Sequence, residues 1–225
     1  AKTGEEAKEH LELSLRALKT DRLDLWQIHT ITTPEDVDQR IDNGVLDVFL
    51  KAKEQGKTRY IGFTGHQSPL THLYFLNWLE ERGLAPSRIV VFGRSLGGAV
   101  GAWLAAGLPE EAAPAAVIIE SSFTSGADMA RRLYPIYPAR LLTRLRYPVV
   151  DFVAHLRSPV LVVHSRDDEI IPFAMGRTVY DAAPAPKSFL ELRGDHNAGF
   201  WISRSVYAPG LDRFLTETLG RSQGA

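Results

Sequence analysis

The chain has 225 residues, 26 basic against 27 acidic side chains, 44% hydrophobic residues and no cysteine. Its near-zero net charge gives no electrostatic reason to expect nucleic acid or an anionic membrane as partner. The missing cysteines exclude disulfides, thiolate catalysis and cysteine-based metal sites, and no apolar run approaches the roughly 20 residues that span a bilayer.

In chain order, "GEEAKEHLELSLRALKT" sets Leu11, Leu13, Leu15 and Leu18 among charges and predicts an amphipathic helix rather than a signal peptide. "LDLWQIHT" (23–30) is a short apolar run closed by polar residues, the pattern of a buried strand. "TPEDVDQRIDNGVLDVFLKAKEQGK" opens on a Thr cap with proline in the first turn and stops at Gly56, and Gly44 divides it into a short and a longer helix. "TRYIGFTG" (58–65) is a second strand and "LTHLYFLNWLEERG" a helix with a glycine stop. "RIVVFGRS" (88–95) is a third strand, followed by the small-residue helix "LGGAVGAWLAAG". "AAVIIESS" is a fourth strand, a proline-bearing helical and loop stretch occupies about 124–157, and "PVLVVHSRD" is a fifth strand. A helix over 174–182, the strand "KSFLELRGDH", a last helix over 202–219 and a disordered tail "RSQGA" complete the reading.

Six short apolar strands alternating with helices predict an α/β fold in one domain, 1–225. The expected form is a single doubly wound, three-layer parallel sheet of about six strands, not a closed barrel. The composition is that of a soluble, cytoplasmic-type protein.

"GRSLG", Gly93 to Gly97, follows a strand and opens a helix, the context in which G-x-S-x-G forms a nucleophile elbow. Glycines at both ends of the pattern keep a sharp turn free of clashes. A serine hydroxyl needs a base, and the base needs an orienting carboxylate. Asp168, in the acid-rich loop after the fifth strand, and His196, in the loop after the sixth, supply them in the order Ser, Asp, His. Asp167 is a neighbouring acid and Glu120 a weaker candidate at the end of the fourth strand. His164 ends a strand core and reads as packed, while His10, His72 and His155 lie on helices. No group has metal-ligand spacing, and no dinucleotide or phosphate-loop pattern follows the early strands. The expectation is no metal and no cofactor.

From about residue 70 to 219 the chain resembles the α/β-hydrolase superfamily, on "GRSLGGAV", "ESSFTS", "SPVLVVHSRDDEIIPF" and "GDHNAGF". That resemblance implies Ser95 as nucleophile, Asp168 as acid, His196 as base and the Leu96 backbone N–H as an oxyanion donor. From 1 to about 67 the chain resembles the aldo-keto reductases, which are (β/α)8 barrels, on "SLRALKTDRLDLWQIHT" and "VLDVFLKAKEQGKTRYIGFTGH". It implies that His29 stands where that family keeps an active-site histidine, and that Thr64 and Gly65 lie at a strand end facing a nicotinamide. The family's catalytic Asp, Tyr and Lys and its cofactor phosphate site have no counterpart in this sequence, and two strands cannot close a barrel, so no reductase activity is expected.

The chain therefore reads as an engineered chimera, reductase-like over 1–67 and hydrolase-like over 68–225, joined near "FTGHQSPLTHLYF". The strand–helix–strand piece would substitute for hydrolase elements, giving the sheet order 2-1-3-4-5-6. The second oxyanion donor in the hydrolases comes from the loop after the third strand, which in this branch ends in a His-Gly pair. Here it is His29-Thr30, and a Cβ at Thr30 resists positive φ. The expected product has at most weak esterase-type activity on small acyl or ester ligands, as a monomer or edge-strand dimer with no required partner. A scaffold without catalytic function and a natural hydrolase of small acyl substrates are the alternatives.

Overall fold

The computed structural model describes residues 1–136 and 146–221. Part of the predicted 124–157 stretch, residues 137–145, and the tail 222–225 lie outside the described residues. The chain divides into two compact units, Ala1–Gly83 and Leu84–Ala225.

The first unit opens with α1 (Gly4–Leu18), whose N-cap Thr3 accepts from the Glu6 amide and whose C-cap Lys19 is left-handed. Strand β1 (Leu23–Ile28) crosses through α2 (Pro34–Asp42) and α3 (Val45–Glu54) to β2 (Thr58–Phe63). The two strands pair in parallel, Leu23 opposite Thr58 through Ile28 opposite Phe63, a pairing that requires such a crossover. Gly44 separates the two helices at φ 74°, as its place in the sequence predicts. The stripe of α1 that faces the core is Ala7, Leu11 and Leu15, at four-residue spacing, whereas Leu13 and Leu18 lie on the outer face. These side chains pack with Trp26 and Ile28 of β1, Val37, Val45, Phe49 and Phe75, and Trp26 stacks on Phe49 with ring centroids 3.5 Å apart. Phe75 belongs to α4 (Pro69–Glu80). This helix belongs to the first unit, and its apolar face completes the first core.

The second unit is a four-stranded parallel sheet in the order β3 (Val90–Arg94), β4 (Ala116–Glu120), β5 (Val160–Ser165), β6 (Lys187–Leu192). Both central strands are buried along their whole length, which matches their unbroken apolar sequence. Alternate residues serve opposite faces. Val117, Ile119, Val160 and Val162 pack under α5 (Leu96–Gly107), α7 (Val149–Ala154) and α8 (Phe173–Ala182). Ala116, Ile118, Leu161 and Val163 pack under Tyr207, Leu211 and Phe214 of α10 (Arg204–Arg221). The short helices α6 (Gly126–Leu133) and α9 (Gly199–Ile202) lie between these elements in the chain. This unit has the expected parallel sheet covered on both faces, but its strands follow chain order across the sheet, so the reversal of strand order that defines a doubly wound sheet does not occur within it.

The single six-stranded sheet is corrected. Among the described residues the ladders form two parallel sheets, one of two strands and one of four, and no closed barrel. The physical reason lies in the cores. Each sheet finds the apolar partners for its strands within its own unit, so hydrophobic patterning predicts every strand without specifying a ladder between β1 and β3.

A buried ion pair braces the first unit. Asp36 and Arg40, one turn apart on α2, have side chains 8% and 6% exposed and meet at 2.9 Å. Burial alone would raise the Asp36 carboxyl, but hydrogen bonds from Arg40, Lys2 and Thr32 outweigh it and hold it well below the usual carboxylate range. The stabilisation is therefore whole above the ordinary carboxylate value near ~4 and is lost as the pH falls through the depressed folded-state value. Asp36→Asn is expected to weaken protection of the β1–β2 amides against hydrogen exchange by on the order of 3 kcal/mol at neutral pH. The difference from wild type should shrink as the pH approaches ~2. A difference independent of pH would exclude the ion pair as its origin.

Candidate active site

The site is built in the second unit where three strands end at the same edge. Strand β3 finishes at Arg94, and Ser95 turns the chain into α5 with φ 54° and ψ −121°. A non-glycine residue in this region costs on the order of 1–3 kcal/mol and persists only where its surroundings hold it. The Ser95 amide donates to the Glu120 carbonyl at 2.8 Å, and the Ser95 carbonyl accepts from Ser122 Oγ at 2.9 Å. A Cβ on Gly93 would lie 2.2 Å from the Gly97 oxygen, and one on Gly98 would lie 2.6 Å from the Ser122 Cβ. A Cβ on Gly97 would meet nothing within 4 Å. The close approach thus requires glycine at 93 and 98. The second glycine of the five-residue pattern, expected to relieve a clash, meets none.

The turn after β5 carries Asp168, whose side chain is fully buried. Its Oδ1 accepts the amides of Ile170 at 3.0 Å and Ile171 at 2.7 Å. Its Oδ2 lies 2.7 Å from His196 Nδ1. A carboxylate that accepts at that nitrogen makes Nδ1 the protonated one and leaves Nε2 free to accept. Nε2 lies 3.1 Å from Ser95 Oγ. The three side chains singled out in the sequence are thereby brought into one hydrogen-bonded chain, with Ser95 partly exposed at its open end.

The loops that carry Asp168 and His196 are stitched together besides. Ser165 Oγ donates to the Gly194 carbonyl, Asp167 accepts from Arg193 and from the Gly194 amide, each at 3.1 Å, and Glu169 accepts the His196 amide at 2.9 Å. Asp167 is thus engaged with the Arg193 guanidinium and the Gly194 amide and not with the imidazole. Glu120 is buried and holds Arg94 Nε at 3.1 Å and Tyr207 Oη at 2.6 Å. Burial and the Glu120 charge push the Tyr207 phenol well above its usual range and keep it a donor. His164 is fully buried, as expected of a packed strand residue. Its Nε2 meets the Ile171 carbonyl at 2.9 Å and lies 3.6 Å from Asp168 Oδ2. Burial lowers its pKa and keeps it neutral near pH 7. His10 and His155 are exposed and His72 is half-buried. Among the described residues no group of three or more metal-ligating side chains occurs, and no helix is long and apolar enough to cross a membrane.

Leu96 opens α5 directly after Ser95, where its amide is one of the first-turn donors. Thr30, to which the resemblance gives the second donor position, lies in the first unit. Its φ is 53°, so the Cβ has not prevented the left-handed backbone. Two bonds hold that conformation. The Thr30 amide donates to Thr64 Oγ1 at 3.0 Å, and its carbonyl accepts from Arg40 at 2.8 Å. The amide is committed within the first unit. His29 is exposed, with Nδ1 3.3 Å from the same Thr64 hydroxyl.

The residues that sequence reasoning missed are Arg94, Ser122, Glu169 and Tyr207. Arg94, Ser122 and Glu169 stood inside quoted motifs, but a motif gives no contact across a separation of 27 to 102 residues.

The aldo/keto reductase family model matches residues 1–77. Over 143 residues the chain is 36% identical to an uncharacterized protein of Mycobacterium tuberculosis, covering 63% of this chain and 50% of that one. Over 170 residues it is 29% identical to the lysophosphatidylserine lipase of Macaca fascicularis, covering 67% of this chain and 42% of the lipase. The chain spans half or less of the length of these relatives. Among solved structures, the esterase domain of a Rhodothermus marinus protein matches with a TM-score of 0.53 at 22% identity, covering 88% of this chain and 87% of that one, a likeness of fold. The chain thus has α/β-hydrolase homologues and structural neighbours together with the aldo/keto reductase match.

The glycine geometry separates two otherwise similar substitutions. Gly93→Ala forces a Cβ against backbone and is expected to lower the stability of the second unit by about 3 kcal/mol or more. Gly97→Ala adds a Cβ in open space within a helix and is expected to be neutral or stabilising by up to ~1 kcal/mol. Thermal unfolding of the two variants checks the contrast.

Proposed function

We propose that the second unit is a serine hydrolase of small acyl esters. In this reading the first unit is a reductase-barrel fragment without reductase activity, and the chain is a chimera of the two. The observation that supports the hydrolase reading most directly is the unbroken chain from Asp168 Oδ2 through both nitrogens of His196 to Ser95 Oγ. The lipase among the relatives is consistent with ester chemistry.

In this reading Ser95 Oγ attacks the acyl carbonyl carbon while His196 Nε2 takes the hydroxyl proton. The tetrahedral oxygen collects negative charge and accepts from the Leu96 amide. Collapse breaks the bond to the alcohol oxygen, which leaves with the proton from His196. Water, deprotonated by the same nitrogen, then cleaves the acyl-serine. Asp168 keeps Nδ1 protonated and balances the imidazolium charge in both halves.

The weak point is the second oxyanion donor. With the Thr30 amide held by Thr64, one donor is left, and loss of one such donor costs about 100- to 1000-fold in turnover. The same bond favours the second reading, a scaffold with no catalytic function. For the first unit, this sequence carries His29 alone of the family's implied catalytic positions, so no hydride transfer is proposed.

Purified protein is expected to hydrolyse p-nitrophenyl acetate slowly, at a kcat at least ~100-fold below the common enzymatic value of about 10 s⁻¹. Ser95→Ala is expected to fall to the buffer rate. Equal rates for the two proteins would sink the hydrolase reading in favour of the scaffold.

A further inference from the structure

The side chain before the nucleophile and the side chain after the acid both end on the main chain of the base. Arg94 precedes Ser95. Its Nη2 donates to the carbonyl oxygen of His196, and its Nε donates to Glu120 Oε1 at 3.1 Å. Glu169 follows Asp168, and its carboxylate accepts the amide of His196 at 2.9 Å. The peptide groups on either side of the His196 Cα are therefore gripped from opposite loops, the carbonyl by a cation and the amide by an anion. Hydrogen bonds with one charged partner are about twice as strong as neutral ones.

The guanidinium is itself fixed. Glu120, 4% exposed, holds its Nε, and Tyr207 from α10 holds the other Glu120 oxygen at 2.6 Å. Arg94 thus links the elbow strand, β4 and the C-terminal helix to one carbonyl. Neither Arg94 nor Glu169 touches the reacting atoms. What they control is the backbone from which the imidazole projects. His196 Nε2 must stay within hydrogen-bond reach of Ser95 Oγ, and a misplacement of about 1 Å can cost on the order of 100-fold in rate.

We propose that Arg94 and Glu169 are positioning residues that clamp the main chain of His196 from the nucleophile and acid loops and so hold its imidazole on Ser95. Their kinetic consequence rests on the serine-hydrolase reading. Their geometric consequence does not.

The test uses the full chain. Arg94→Met combined with Glu120→Gln removes the guanidinium without leaving a buried carboxylate unpaired. Glu169→Ala removes the amide's acceptor, and Glu169→Gln restores a neutral one. Turnover of p-nitrophenyl acetate, labelling of Ser95 by a fluorophosphonate, and the NMR resonance of the His196 Nδ1 proton are read for each. Expected are a fall in kcat and labelling of about 10- to 100-fold for the double variant, with KM changed less than about twofold, and a smaller fall for Glu169→Ala recovered in Glu169→Gln. The Nδ1 proton should broaden in parallel. Wild-type kcat and an unchanged resonance in the folded variants would overturn the clamp. If the double variant does not fold, the Glu169 pair decides, since that side chain is exposed. If wild-type protein does not label at Ser95, the hydrolase reading falls and the resonance alone judges the clamp: broadening supports it and constancy overturns it.

Discussion

The site depends on one backbone conformation, the left-handed turn of Ser95 between β3 and α5. At on the order of 1–3 kcal/mol it is a strained state, yet two neighbours are enough to offset it. The hydrogen bonds to the Glu120 carbonyl and from Ser122 Oγ contribute roughly 0.5–1.5 kcal/mol each. They can form only because Gly93 and Gly98 let the first turn of α5 close onto β3 and Ser122. Beneath this turn β4 and β5 are buried from end to end, so the elbow rests on the least deformable part of the second unit.

Much of this was legible in the sequence, for reasons that can be named. Strands such as "AVIIE" and "VLVVHS" are continuous apolar runs because both of their faces are covered. Thr33-Pro34 and Gly44 mark helix ends through capping and positive φ, which are local chemistry. Ser95, Asp168 and His196 each follow a strand, and parallel strands of one sheet finish at one edge. The topology therefore brings together residues up to 101 apart in the chain.

What could not be read depends on distance or on competition between partners. Leu13 and Leu18 look like core positions in a list of leucines, but the four-residue spacing of Ala7, Leu11 and Leu15 takes the buried face. The helix from Pro69 to Glu80 reads in sequence with the hydrolase-like segment, whereas Phe75, with Tyr74, Trp78 and Leu79, packs it in the first core. Periodicity finds six strands, but ladders are pairings, and the two-plus-four division follows from two separately closed cores. Arg94 occupies a position that the elbow pattern leaves open, and its value lies in a carbonyl 102 residues away.

The two units differ in how the polar groups at their strand ends are satisfied. The strand ends of the first unit keep a histidine, His29, and a threonine, Thr64, in hydrogen-bond reach, but the polar groups around them are turned inward. Arg40 takes the carbonyls of Ala1, His29 and Thr30 and pairs with Asp36. Thr64 takes the Thr30 amide. A loop that satisfies its own donors is well folded, and for the same reason it offers little to a developing negative charge. The second unit does the reverse at Ser95. There the Ser95 amide and carbonyl are satisfied by the scaffold, while its hydroxyl faces the His196 imidazole, whose other nitrogen is already engaged. The difference between the units is which polar atoms are left unsatisfied by the scaffold, and it is this difference on which the proposed assignment of hydrolase chemistry to the second unit rests.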